Sequence, residues 1–210
     1  MGLARVVELT VGDEPEAWEV AGFAVDGGVC ALGDVRVLLT GDGGAITGWT
    51  VVHPDLDPGP VDLDGLATAV VTDHPPITTT SHANGTVGLD HVVVSTPDID
   101  RTTAAFATVG VEPRRTRDTT AGDAPLRQRF FRMGTIVEVI GPPEPDPAAG
   151  PARFWGIAVV SADLDQTAEV LAGRLGRIKD AVQPGRRIVT LRTRELGISV
   201  PVAFMTPHRA

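Results

Sequence analysis

The chain has 210 residues, of which 42% are apolar, and a formal net charge of −9. This is enough for one large or two small packed domains. Lys179 is the only lysine and no basic stripe is present, which excludes nucleic acid as an expected partner. The N-terminus lacks the apolar core of a signal peptide, and no apolar run approaches the roughly 18 residues of a membrane span. We therefore expect a cytoplasmic protein with no membrane partner.

The first 52 residues follow the pattern of one strand, one helix and three further strands. The strand is predicted over Arg5–Thr10, after which Pro15 suits the first turn of a helix and Gly22 its end. Three short apolar runs separated by glycine turns then reach Val52. We predict a degenerate βαβββ module over residues 1–52.

Residues 53–86 are rich in proline, glycine and aspartate. This composition is typical of connecting segments and disfavours core elements. The segment is therefore predicted to be a linker, with a short helix over Asp64–Val71.

The rest of the chain contains two copies of one module, related by a shift of 65 residues. Asp98 aligns with Asp163, and Phe106 aligns with Leu171. In each copy an aspartate can cap a helix that follows a valine-rich strand, and three strands come after the helix. The sequence therefore predicts two βαβββ modules, 87–143 and 152–207, and an α+β fold.

Two polar side chains stand among apolar neighbours in the earlier copy. Alternation puts His91 on one face of the first strand with Leu89, and Glu138 on one face of the last strand with Ile136. A buried carboxylate needs a partner, so we predict that His91 and Glu138 face each other. The alternatives are a purely structural pair in the core, or a Glu138 that faces solvent.

Tandem modules with a histidine in the first strand and a glutamate in the fourth resemble the vicinal oxygen chelate superfamily. Its members include glyoxalases, bleomycin resistance proteins and extradiol dioxygenases. The segments L89 D H V V V S T P D and V137 E V I G P carry the resemblance. It implies a cupped mixed sheet in which the first and fourth strands supply ligands to a divalent metal.

Carried over residue by residue, the resemblance assigns His91 and Glu138 as metal ligands or catalytic groups. The matching positions of the later copy are Gly156 and Ala203, which cannot bind a metal. Catalytic zinc and non-heme iron sites use three protein ligands. A third ligand could come from Glu8 in the first strand of the N-terminal module, but no alignment places it at a ligand position. We therefore expect no resident cofactor and no complete metal site.

Arginine and aromatic side chains form a second candidate site. Arginine binds carboxylates and phosphates through two parallel hydrogen bonds, which suggests a small anionic organic ligand in the cup. These arginines could instead balance the acidic surface, and the aromatic residues could belong to the core. The candidate ligand-binding residues are Arg127, Arg129, Phe131, Trp155 and Arg187.

Three functions remain open at this point. The first is a small-molecule binding protein of the glyoxalase and bleomycin resistance type, with an unassigned substrate. The second is a metal-dependent lyase, isomerase or dioxygenase that uses His91 and Glu138. The third is a structural or assembly role. Because three modules leave the N-terminal one without a partner, a homodimer is expected.

Overall fold

The computed structural model describes residues 4–78, 80–146 and 148–208. The elements up to residue 71 are β1 Arg5–Val11, α1 Pro15–Val20, β2 Val29–Leu32, β3 Val35–Leu39, β4 Ile46–Val52, β5 Gly59–Leu63 and β6 Leu66–Val71. The six strands form one sheet with the order β2-β3-β1-β4-β6-β5. None of the helices among the described residues is long and apolar enough to cross a membrane.

The predicted helix over Asp64–Val71 is wrong, because this segment forms a strand. Strands β5 and β6 pair antiparallel around Asp64 and Gly65, whose φ angles are +56° and +88°. Two successive residues with positive φ make the tight turn that an Asp-Gly pair favours. Leu66 and Val70 are buried, so this part of the predicted linker belongs to the core.

The predicted module over residues 1–52 is also wrong in its last strand. Strand β3 closes the first module by pairing parallel with β1, whereas β4 pairs parallel with β6. Strand β4 therefore opens a second short module that has no helix. The expectation of a homodimer rests on an odd number of modules. Because β4 opens a further module, the number is even, and the homodimer stays a prediction that lacks this support.

The second sheet contains the two predicted copies. The elements are β7 Thr86–Ser95, α2 Ile99–Thr108, β8 Arg115–Ala121, β9 Ala124–Met133, β10 Thr135–Gly141, β11 Arg153–Ser161, α3 Leu164–Val170, β12 Lys179–Asp180, β13 Arg187–Thr190 and β14 Val202–Met205. The strand order of this sheet is β12-β13-β14-β11-β7-β10-β9-β8.

The repeat is confirmed at the level of strand register. Glu138 pairs with Val93 in the earlier copy, and Ala203 pairs with Ala158 in the later copy, which is the same pairing shifted by 65 residues. The two helices begin in the same way, since Asp98 and Asp163 each accept hydrogen bonds from the first backbone N–H groups. This is the N-cap arrangement that the sequence predicts.

The chain divides into two compact units, each built from segments on both sides of residue 87. The first unit comprises residues 1–7, 47–75 and 91–155. Its core includes Phe106, whose ring centroid lies 4.8 Å from that of Phe131 and 6.1 Å from that of Trp49. The second unit comprises residues 8–46, 76–90 and 156–210. Phe23 stacks on Phe204 there.

His82 forms two hydrogen bonds to backbone groups of the second unit. Its Nδ1 accepts a hydrogen bond of 2.9 Å from the backbone N–H of Ala24, so Nε2 carries the proton and donates to the carbonyl of Ala31 at 2.8 Å. This arrangement requires a neutral imidazole. Burial lowers the pKa of His82 from its usual value of 6.5, because a buried charge loses its hydration.

We expect the free energy of unfolding to decrease as the pH falls below about 6.5. In that range the unfolded chain binds a proton at His82, whereas the folded chain does not. Neutral His82 therefore contributes its full stabilisation above the unfolded pKa, and this contribution is lost as the pH falls toward the lower pKa of the folded state. Urea unfolding of the wild type and His82→Gln between pH 8 and pH 5 measures the difference. A His82 pKa at or above its usual value in an NMR titration would contradict this expectation.

Candidate functional site

The sheet of the first unit has two different faces. In β10, Val137 and Val139 are fully buried, whereas Ile136, Glu138 and Ile140 are only half-buried. Residues paired across neighbouring strands share a face, so the register extends the half-buried face over β7, β8 and β9. We call it the open face; it contains His91, Val93, Arg117, Gln128, Phe130, Ile136, Glu138 and Ile140.

His91 and Glu138 lie together on the open face. Nε2 of His91 is 3.4 Å from Oε2 of Glu138, and the two side chains are 15% and 14% exposed. The structure thus brings together the two residues that the sequence predicted to face each other. Glu138 does not point into open solvent, and an acid and a base at this distance can both contact one bound molecule.

Gln128 adds a hydrogen-bonding group that sequence reasoning missed. Its Nε2 donates to Oε1 of Glu138. A carboxylate only accepts, so this bond fixes the orientation of the amide and leaves Oε1 of Gln128 as an acceptor. That oxygen is buried and has no hydrogen-bond partner among the described residues.

Arg117 was missed as well. It pairs in register with Gln128, and its Nε is buried without a hydrogen-bond partner in the described part of the chain. Strand alternation is the sequence signal that could have identified Arg117 and Gln128. In β9 the even-numbered residues share the face of Glu138, whereas the predicted ligand-binding residues of this strand are all odd-numbered.

The three candidates from β9, namely Arg127, Arg129 and Phe131, lie on the opposite face, where helix α2 packs. Nη1 of Arg129 donates to Oγ1 of Thr103 at 2.8 Å, and Phe131 is 1% exposed. Arg127 binds Asp118 through two hydrogen bonds, which lower the pKa of that carboxyl. Their own contacts hold these residues away from the open face, so the structure does not place them beside His91 and Glu138, and ligand binding by them stays a prediction.

The remaining two candidates do not join this face either. Trp155 is 53% exposed, and alternation puts it on the face of β11 opposite to Gly156. Arg187 belongs to the second unit, where it binds Asp165 with two hydrogen bonds of 2.9 and 2.8 Å. These bonds lower the pKa of Asp165.

The later copy offers no ligand at the matching positions. A Cβ atom at Gly156 would lie 2.6 Å from the carbonyl oxygen of Pro201, so the backbone occupies the space of a side chain. Ala203 pairs with the buried Ala158. Glu8, the candidate third ligand, pairs with Arg36 at 2.6 Å. It belongs to the second unit.

These residues do not fit a complete catalytic metal site. Within the described ranges, no group of three or more His, Cys, Asp or Glu side chains could hold a metal ion. His91 and Glu138 supply two donors, and one oxygen of Glu138 already accepts from Gln128. Three protein ligands are the usual minimum for catalytic zinc and non-heme iron.

Comparison with known proteins supports the fold. No model of a protein family and no curated protein matches the chain. A mutant of 4-hydroxymandelate synthase from Streptomyces coelicolor is similar with a TM-score of 0.67 and 14% identity, over 99% of this chain and 93% of that chain. A 2,2',3-trihydroxybiphenyl 1,2-dioxygenase from Sphingomonas wittichii strain RW1 gives 0.58 and 15%, over 97% and 91%.

A third structure has this fold as one part of a longer chain. It is a fusion of a xylose isomerase-like TIM barrel with 4-hydroxyphenylpyruvate dioxygenase, with a TM-score of 0.64 and 12% identity. The match covers 100% of this chain and 50% of the fusion protein. Together these structures show that the chain has the α+β fold of the vicinal oxygen chelate superfamily, as the sequence predicts.

Proposed function

We propose that this protein binds a small organic molecule on the open face, at His91 and Glu138, without a complete metal site. The buried Oε1 of Gln128 carries this proposal, because no described residue donates a hydrogen bond to it. Leaving a buried acceptor unsatisfied costs about 1–3 kcal/mol. A bound molecule with a hydroxyl or N–H group would offset that cost.

The side chains around His91 and Glu138 support a site for an organic ligand. Ligand sites are mostly apolar and contain a few polar groups that orient the ligand. On the open face, Phe130, Ile136 and Ile140 are half-buried, and they share the face with Glu138 and Gln128. An apolar group can lie on these side chains while its polar end contacts the hydrogen-bonding groups.

A metal-dependent lyase, isomerase or dioxygenase is the second candidate. The names of the similar structures, a synthase and two dioxygenases, favour it, and so do the two potential ligands on the open face. The incomplete donor set favours binding over this alternative.

Protein purified without chelators is expected to carry well under one divalent ion per chain. Two donors bind a metal more weakly than the three that catalytic sites provide. Elemental analysis for Zn, Mn, Fe and Ni measures the content. One ion per chain in the wild type that is lost in both His91→Ala and Glu138→Ala would support the second candidate instead.

Saturation-transfer NMR against a mixed set of small aromatic acids, amides and alcohols tests binding itself. At least one compound is expected to bind in the presence of EDTA, and Gln128→Ala should weaken it about tenfold, as the loss of one hydrogen bond of roughly 1.4 kcal/mol implies. Arg127→Ala is the matched control, because Arg127 is the adjacent residue on the opposite face. The proposal fails if nothing binds the wild type, or if both variants weaken binding equally.

A further inference from the structure

Strand β8 is the outermost strand of the second sheet and pairs with β9 on one side. Ala121 and Ala124 flank a two-residue turn between these strands, and in such hairpins the flanking residues hydrogen-bond to each other. Because the direction of bonding alternates along a strand, Thr116, Asp118 and Thr120 point their backbone N–H and C=O groups away from β9. All three residues are exposed. Strand β8 therefore offers a free edge to which another extended segment can add.

The hairpin of β8 and β9 is basic, although the chain as a whole is acidic. Residues 114–132 contain six arginines and two aspartates, a local net charge of +4, whereas the net charge of the chain is −9. On β9, Arg127 and Arg129 each pair with an aspartate. On β8, Arg115 and Arg117 make no ion pair within the described part of the chain, and Nε of Arg117 is buried without a hydrogen-bond partner there. The free edge thus carries unbalanced positive charge.

The two arginines of β8 lie on the same face of the strand. Arg115 and Arg117 are two residues apart, which corresponds to about 6.7 Å along a strand. Alternate side chains of an added strand have the same spacing, so an acidic residue at every second position would lie beside each arginine. One of these carboxylates can accept the hydrogen bond that Nε of Arg117 lacks.

A second copy of β8 would not supply these carboxylates. When two copies of an edge strand pair antiparallel around a two-fold axis, each face of the strand continues into the same face of its partner. The face with Arg115 and Arg117 otherwise contains Thr119 and Ala121, so no register places a carboxylate opposite either arginine. Like charges on neighbouring strands are unfavourable, and charged edge strands oppose self-association. The edge therefore favours a segment with a different sequence.

We propose that β8 is a docking edge for an extended segment of another protein that carries Glu or Asp at alternate positions. The segment adds to the sheet as a further strand. Its backbone bonds to the free edge, and its acidic side chains contact Arg115 and Arg117. The arginines that oppose self-pairing thus select an acidic partner.

An acidic peptide fits this edge better than a nucleic acid does. Nucleic-acid sites spread many basic side chains over a surface, whereas β8 has two arginines without an ion pair and belongs to a chain of net charge −9. The free edge also presents N–H and C=O groups at the spacing of a strand. A peptide backbone matches both kinds of group, and a phosphate backbone lacks the donors.

Docking at β8 does not depend on the small-molecule site. Glu138 belongs to β10 and His91 to β7, which are the second and third strands from β8 in the sheet. The two proposals therefore have separate readouts, since Gln128→Ala tests the small-molecule site and variants of β8 test the edge. Failure of one leaves the other standing.

Two seven-residue peptides, each as long as β8, test the proposal by backbone NMR of the full chain. One alternates threonine with glutamate, and the other has the same composition with its glutamates in one block. We expect the alternating peptide to bind about threefold more tightly or better, because it alone places its carboxylates on one face of a strand. The amide signals of Thr116, Asp118 and Thr120 should shift most.

Arg115→Gln and Arg117→Gln should each lower the affinity for the alternating peptide about threefold, as the loss of one solvent-accessible ion pair implies. Arg153→Gln is the matched control, because it removes the same charge from an exposed position on β11; it should leave the affinity nearly unchanged. Thr116→Pro removes one N–H group of the free edge and should weaken binding, whereas Thr116→Val keeps that group and should bind like the wild type. If Thr116→Pro does not fold, the arginine variants decide.

The proposal fails if the alternating peptide does not bind, or if both peptides bind equally. Equal losses in Arg117→Gln and Arg153→Gln would overturn it as well, because they would indicate a general effect of net charge. So would shifts confined to parts of the chain outside β8. An oligothymidylate of the same charge that binds more tightly than the alternating peptide would identify nucleic acid as the partner instead.

Discussion

Replacing Arg186 by alanine is expected to destabilise the protein by about 3–5 kcal/mol, because the substitution removes the guanidinium that pairs with a buried carboxylate. Nη2 of Arg186 lies 2.5 Å from Oδ1 of Asp90, and both side chains are 2% exposed. Nε of Arg186 also donates to the carbonyl of Thr206 at 2.7 Å. Removing the guanidinium therefore breaks a buried ion pair and removes a hydrogen bond to a backbone carbonyl.

The next residue provides the control. Arg187 also binds an aspartate through two hydrogen bonds, but this pair with Asp165 is exposed to solvent. Solvent-exposed ion pairs contribute little to stability, so Arg187→Ala should leave the unfolding midpoint in urea almost unchanged. Similar midpoints for Arg186→Ala and Arg187→Ala would show that the burial of the Arg186–Asp90 pair does not matter.

Gly156→Ala is expected to destabilise the protein by about 1–3 kcal/mol, as overpacking of a close contact does. The added Cβ would lie 2.6 Å from the carbonyl oxygen of Pro201. That oxygen also accepts the backbone hydrogen bond of Ile157 at 3.0 Å. The β11 and β14 strands would have to separate locally, and backbone atoms cannot move aside as a flexible side chain can.

Gly176→Ala is the matched control for this substitution. The added Cβ there would lie 3.6 Å from the carbonyl oxygen of Thr190, which is an ordinary contact distance. Gly→Ala at an unstrained position reduces the entropy of the unfolded chain and is neutral or slightly stabilising. Thermal unfolding measures both variants, and a Gly156→Ala protein as stable as the wild type would contradict the close approach.

The close approach at Gly156 also explains why the later copy cannot regain a metal ligand by one substitution. A histidine at this position would collide with Pro201 before its imidazole could reach a metal. The absence of a ligand is therefore built into the pairing of β11 with β14. Restoring the donor would require a different strand geometry in that copy.

Local sequence patterns were sufficient for the repeat and for the pair at the candidate site. Alternation in two strands, together with the cost of burying Glu138, predicted that His91 and Glu138 face each other. The Asp-Gly turn at residues 64–65 carried an equally local signal. The proline and glycine content of the surrounding segment indicates a linker instead, and for this reason the sequence analysis predicts a helix in a linker where the structure has a hairpin.

The choice of face for the arginines could not be predicted locally. Strand β9 carries arginine on both faces, and its sequence alone does not show which face helix α2 covers. In the structure, Asp100 and Thr103 of α2 bind Arg129, which assigns the odd-numbered residues to the helix side. This information comes from packing between elements far apart in the sequence.

Methyl NMR of the wild-type protein during titration with the mixed set of aromatic acids, amides and alcohols tests the central claim most directly. Ile136 and Ile140 of strand β10 lie on the open face, whereas Val137 and Val139 lie on the buried one. Binding at the proposed site should shift the methyl signals of Ile136 and Ile140 and leave those of Val137 and Val139 nearly unchanged. Shifts confined to other parts of the chain, or none at saturating concentrations, would contradict a ligand site on the open face.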